Sequence, residues 1–260
     1  MVALAEIAER NATGMIAEIY DDIRHSLNVA NVNLIYRHFA TIEGALPWAW
    51  QILRPYFVSG EIERCADQSK DLYILSRPLK IFLPSTELAE HDRTDIGGVL
   101  DFYLKTNPMN LFALEILNGE FGAPYQAHWP LLSSEKLSRQ AQTLDFGSTA
   151  EELMYLVSQG ATGVRPTLLR QLARWPNYIE SIAGFVRMIC VDSRFLIQVD
   201  KVHDFARPRV NTMQATASFD LLSDSSEAVR TFCGYFPLPL IRMTIIAEYL
   251  RTTLDAPAKI

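Results

Sequence analysis

The sequence predicts an all-α protein of two pseudo-symmetric helical repeats packed as an intrachain pseudo-dimer, and three observations carry that reading. Apolar residues recur mostly at spacings of three and four, strand-type alternation is scarce, and only 12 glycines occur in 260 residues. Helix-opening signatures recur along the chain: Ser148 and Thr149 each precede a glutamate by three residues (Glu151 and Glu152), and Asp224 stands three before Glu227. Finally, Ala17–Tyr56 can be laid over Ala150–Ile189 without a gap at a constant shift of 133.

The elements follow in order. Met15, Ile19, Ile23 and Leu27 make the first helical stripe. A second helix around Tyr36 stops near Gly44, and a third opens with Pro47, whose missing N–H costs nothing in a first turn. The shift of 133 places Glu18 on Glu151, Arg37 on Arg170, Ala40 on Ala173 and Arg54 on Arg187, and it aligns the apolar pairs Phe39/Leu172, Leu46/Ile179, Ile52/Phe185 and Leu53/Val186. Any two amphipathic helices share some of this, so coincidence stands beside duplication. Phe195, Leu196, Val199, Val202 and Phe205 fit a further helix, with Phe-Leu-Ile-Gln-Val as a short strand the alternative. The proline-containing, polar-centred stretch from Ala123 to Gly147 reads as the connection, dividing the chain into repeats 1–133 and 134–260. Each half has an apolar face it cannot cover alone, so the two bury those faces on each other and leave the ligand site between them.

Composition excludes several functions. With 49% hydrophobic and 21% charged residues the chain can bury a large core. The net charge is −6 and the 24 basic residues are spread out, so no nucleic-acid partner is expected. Glu6 and Glu9 interrupt the start of the chain before a signal peptide could form, and Pro237, Pro239, Arg242 and Glu248 break the apolar C-terminal segment, so neither export nor a membrane span is expected. Cys65, Cys190 and Cys233 are odd in number and widely spaced, as for thiols in the cytoplasm. No nucleophile elbow, phosphate loop or dinucleotide fingerprint occurs, and no cofactor is expected.

Four stretches, Tyr20–Leu27, Phe39–Trp50, Asn107-Pro108 and Leu172–Pro176, together resemble the group I 2-haloacid dehalogenases. The resemblance implies an all-α fold of two pseudo-repeats, a homodimer, and a site between the repeats that takes a small organic acid. It also implies a route in which a carboxylate activates water to attack C2 directly, with Asn107 helping to hold that water. Counting back from Trp175 places Thr167, Leu168 and Leu169 where the family has Ser-Asp-Phe, so an aliphatic side chain stands at the position of the base. A general base must accept a proton, which Leu168 cannot do. The same comparison puts Phe232 and Asn31 at two pocket positions that are aromatic in the family, and with Asn33 makes the pocket more polar.

Read on local grounds, Asn107 is an N-cap with Pro108 at N1, opening a helix through Leu117, and Thr167 is a cap after Pro166; either can also orient a water or an anion. These two are the candidate catalytic groups. Asn31, Leu34, His38, Leu168 and Phe232 are the candidate substrate contacts, His38 being equally a core or rim residue. Asp101 projects beside Lys105 as a solvent-side pair, and Glu248 has Arg251 as its simplest partner. Glu18, Asp22 and His25 could line one helix face as metal ligands. Burial of the Ile19 stripe turns them instead to water, and no metal site is expected. The sequence thus points to a diverged enzyme performing displacement, elimination or cyclisation on an organic acid. The alternatives are a hydrolytic dehalogenase with a relocated base and a non-catalytic binding protein.

Overall fold

The computed structural model describes residues 4–75, 88–121, 147–158, 164–210, 213 and 217–254. All regular structure among them is helical. The first half holds α1 (Gly14–Leu27), α2 (Leu34–Phe39), α3 (Ala45–Val58), α4 (Glu61–Gln68) and the 30-residue α5 (Glu90–Gly119). The second holds α6 (Thr149–Ser158), α7 (Thr167–Leu172), α8 (Pro176–Ile189), α9 (Ser193–Arg209), α10 (Ser223–Tyr235) and α11 (Pro237–Leu254). Phe195 to Phe205 lie in α9, so the helical alternative holds there. Residues 123–146 of the expected connection lie outside the described residues. No described helix is long and apolar enough to cross a membrane.

The shift of 133 survives in the burial pattern. Leu34, Ile35, Tyr36 and Phe39 of α2 are buried, and so are Thr167, Leu168, Leu169 and Leu172 of α7. In α3, Ala45, Leu46, Ala49, Trp50, Ile52 and Leu53 map in the same way onto the buried Tyr178, Ile179, Ile182, Ala183, Phe185 and Val186 of α8. Charge repeats as well. Arg54 grips Asp22 of α1 with Nε at 2.6 Å and Nη2 at 3.2 Å, and Arg187 grips Glu152 of α6 with the same two donors at 2.8 and 2.6 Å. Each fork ties the third helix of its half to the first, because a guanidinium edge matches the two oxygens of a carboxylate. Helix boundaries shift while the buried face does not. Pro176 starts α8 two residues early, whereas α3 begins after Gly44, whose φ of 73° suits a residue without Cβ.

The long helices α5 and α11 pack antiparallel at the centre, with Arg251 Nε 2.7 Å from Asp101 Oδ1 and Arg93 donating to the Leu254 carbonyl. Asp101 therefore pairs with Arg251 rather than Lys105, which donates to the Asn28 carbonyl at 3.0 Å. A partner from another helix outcompetes the expected neighbour on its own.

Other local expectations change for similar reasons. Met15 is 63% exposed, and the buried face of α1 runs through Tyr20, Ile23 and Leu27. Asp22 is not simply solvated, because Trp50 Nε1 donates to it at 2.8 Å beside Arg54, while Glu18 and His25 remain exposed. Ser148 does cap α6, accepting from the Glu151 N–H at 3.3 Å. Asp224 falls inside the first turn of α10, whose cap position is Leu222.

Candidate functional site

Asn107 does not cap a helix. It sits in the middle of α5, 1% exposed, and Pro108 follows inside the same helix. Proline there removes the N–H that would bond to the Leu104 carbonyl, a loss tolerated where surrounding packing holds both helical segments in place. The continuation matters because it aligns Tyr103, Thr106, Asn107 and Asn110 within an arc of about 100° on one face of α5. All four are buried, in a helix whose next turns are Leu111, Phe112, Ala113 and Leu114. The result is a neutral polar belt on one buried face of the helix.

Two short helices flank this belt, one from each half. From the start of α2, Asn33 donates through Nδ2 to Thr106 Oγ1 at 3.0 Å, while Thr106 Oγ1 itself donates to the Phe102 carbonyl at 2.9 Å. From α7, Thr167 hydrogen-bonds the Tyr103 hydroxyl. Thr167 is the first residue of α7 rather than its cap, and Pro166 holds the cap position, so its hydroxyl is free to face α5. Burial pushes the Tyr103 phenol up to about 12, with the Thr167 bond and the charges of Arg170, Arg37 and Arg174 acting the other way. It remains a neutral donor at physiological pH.

The belt is incompletely satisfied. Asn33 Oδ1, Asn107 Nδ2 and both amide atoms of Asn110 are buried without a hydrogen-bond partner. Each such atom costs about 1–3 kcal/mol relative to a paired one. Buried polar groups in native folds are almost always paired, so each of these atoms calls for a physical explanation.

The N-terminal segment lies against α2 and α7. The Ile7 N–H donates to the Arg37 carbonyl at 3.0 Å, Tyr20 Oη donates to the Ile7 carbonyl at 3.0 Å, and His38 Nδ1 lies 2.8 Å from the Ala5 carbonyl. Glu6 then spans the two halves, its carboxylate 3.2 Å from Arg37 Nη2 and 2.9 Å from Arg170 Nη1.

The remaining candidates separate. Leu34 is buried at the start of α2, next to Asn33. Asn31 is exposed in the preceding loop, whereas Asn33, two residues on, is buried against Thr106. His38 is occupied by the Ala5 carbonyl, which only accepts, so Nδ1 carries the proton; burial lowers its pKa and keeps the ring neutral. Its ring packs 4.7 Å from Phe232, which is clustered with Phe39 and Phe236 against the side of α2 turned away from Asn33 and Arg37. Asn110, Thr106 and Tyr103 escaped the sequence reading. A second asparagine one turn after Asn107, within an apolar run, was the signal that could have found the first of them.

No protein-family model matches this sequence, and no curated protein matches it by sequence. Solved structures do match. A D-2-haloacid dehalogenase in complex with L-LA has a TM-score of 0.75 at 14% identity, covering 97% of each chain. A D-2-halacid dehalogenase mutant has 0.73 at 14%, and a D-2-haloacid dehalogenase mutant with D-2-CPA has 0.71 at 13%; both matches cover 97% of this chain and 96% of the other. The fold is haloacid dehalogenase-like. On this haloacid dehalogenase-like scaffold, Leu168 of α7, where the sequence resemblance expects the base, is 0% exposed and packed in the core. Glu115, a buried carboxylate of α5 about two turns beyond Asn107, pairs with His203 Nε2 at 3.2 Å.

Proposed function

We propose that this protein is a small-molecule enzyme that binds an organic acid between its two repeats and performs a diverged reaction (displacement, elimination or cyclisation) on it. The observation that carries this reading is the set of unpartnered buried amide atoms on Asn33, Asn107 and Asn110, at the place where a helix from each half meets α5. Asn107 and Thr167 are the groups that would touch the reacting part of the substrate, with Leu34 and Leu168 supplying apolar wall.

The likeness to dehalogenases of known structure supports a scaffold suited to such ligands. The belt residues are all neutral and lack the base that direct water attack needs. Amide and hydroxyl groups can still hold a substrate in one reactive geometry, and positioning alone lowers the barrier of an intramolecular step substantially.

The test pairs binding with turnover. Both enantiomers of 2-chloropropionate are titrated by calorimetry and incubated for chloride release. Binding that is lost in Asn107→Leu, without chloride release, is the expected result. Chloride release at enzymatic rates would establish the hydrolytic alternative instead. Absence of binding by this acid and by larger 2-substituted acids would refute the organic-acid reading.

A further inference from the structure

We propose that Arg37 and Arg170 form a carboxylate-binding clamp at the seam between the repeats, and that Glu6 is an internal stand-in which the carboxylate of a ligand displaces. The proposal rests on the organic-acid reading above and names how the acid group is held.

The two arginines occupy equivalent positions of the two repeats, and they converge on a single carboxylate supplied by neither repeat's helices. Each also lies one turn beyond a belt contact. Arg37 follows Asn33 by four residues on α2, and Arg170 follows Thr167 by three on α7, so both guanidinium groups lie on the belt-facing sides of their helices. The Tyr103 hydroxyl feels both of them. The clamp is therefore continuous with the polar belt rather than a separate surface ion pair.

Glu6 fits this place imperfectly. Its Oε2 is buried and accepts no hydrogen bond, the approach of Arg37 Nη2 at 3.2 Å being an ion contact only. Arg37 Nε, on the same edge as one of its terminal nitrogens, is buried and unpartnered. A carboxylate seated squarely would take two parallel donors from that edge, the strongest geometry a guanidinium offers. Two guanidinium groups thus meet on one carboxylate.

Displacement does not require the N-terminal segment to leave. The segment is fixed by main-chain contacts through Ala5 and Ile7, while Glu6 turns about its own side-chain bonds. A ligand acid would then occupy the clamp with its 2-substituent directed along the belt toward Asn107 and Asn110.

The full-length protein is titrated with 2-chloropropionate and, separately, with the uncharged 2-chloropropionamide. Glu6→Gln keeps the shape and removes the competitor, so it is expected to tighten the acid about tenfold and leave the amide unchanged. Arg170→Gln, whose side chain is 40% exposed, is expected to weaken the acid at least tenfold and leave the amide unchanged. Acid affinity indifferent to both changes, yet abolished by Asn110→Leu, would refute the clamp and keep the pocket. No acid binding in wild type, Glu6→Gln or Arg170→Gln would refute both. Should Glu6→Gln fail to fold, Arg170→Gln alone decides.

Discussion

Asn33 and Thr106, 73 residues apart, share a buried hydrogen bond of 3.0 Å that fastens the start of α2 to the centre of α5. Removing one partner strands the other. Thr106→Val leaves the Asn33 amide buried and unpaired, which is expected to cost about 1–3 kcal/mol. Adding Asn33→Leu removes the stranded donor, so the double variant should recover part of the loss. Urea denaturation of the two single variants and the double variant measures this directly; a double variant that loses the sum of both singles would contradict it.

Asn110 gives a prediction of opposite sign. Both of its amide atoms are buried without partners, so Asn110→Leu exchanges two unsatisfied groups for hydrocarbon of similar size. Stability should rise by about 1–2 kcal/mol, while affinity for a 2-substituted organic acid falls tenfold or more. A purely structural asparagine would show a loss of stability instead. Calorimetric titration beside a thermal melt reads both effects.

The helices were legible in the sequence because their buried positions repeat at the helical period, and the shift of 133 was legible because it preserves those positions. The strap was not. Residues 4–8 have no periodicity, and Glu6 meets Arg170 across 164 positions, a pairing no local pattern encodes. Asn107 was found by its place before Pro108 but misread as a cap, since Asn-Pro has the same local signature at a helix start and inside a helix held by its neighbours. Asn31 and Asn33 looked equivalent until the chain direction into α2 turned one outward and the other inward.

Arg242 is the largest fully buried side chain of the described residues, 0% exposed on α11. Nη2 donates to the Cys190 carbonyl at 3.3 Å, whereas Nε and Nη1 have no partner, and burial lowers its pKa. A charge held in the core without a carboxylate is a net cost even where it caps a helix end. Arg242→Met, which keeps an unbranched apolar stem and removes the charge, is expected to stabilise the fold by about 1–3 kcal/mol. A fall in the urea midpoint would show that the helix-end contact outweighs the desolvation.

Three carboxylates should govern acid stability. Hydrogen bonds from Arg54, Arg187 and Arg194 hold the pKa values of Asp22, Glu152 and Asp192 below those of free side chains. A depressed native pKa means that the unfolded chain binds the proton first on acidification. Their contribution is therefore complete above about pH 5, where unfolded carboxylates are ionised, and is lost as the pH falls through the native values. Urea midpoints measured from pH 6 to pH 2.5 should fall less steeply in Asp22→Asn, Glu152→Gln and Asp192→Asn than in wild type. Parallel curves would mean that these pairs are too solvated to matter.

Leu168 offers the most direct test of the proposed divergence. Its side chain is wholly enclosed, so a carboxylate there loses hydration unless the belt donors reach it, and Leu168→Asp should cost about 3–5 kcal/mol of stability. Desolvation would raise the pKa of the new group, the direction that makes a carboxylate a better proton acceptor near neutrality. If the reaction diverged through loss of this one base, the variant should release chloride from 2-chloropropionate while wild type does not. Folded Leu168→Asp without chloride release, binding the acid as tightly as wild type, would place the difference in chemistry elsewhere in the belt. The same incubation in ¹⁸O-water separates direct attack from an enzyme ester, because after a single turnover only direct attack carries the label into the 2-hydroxyl of the product.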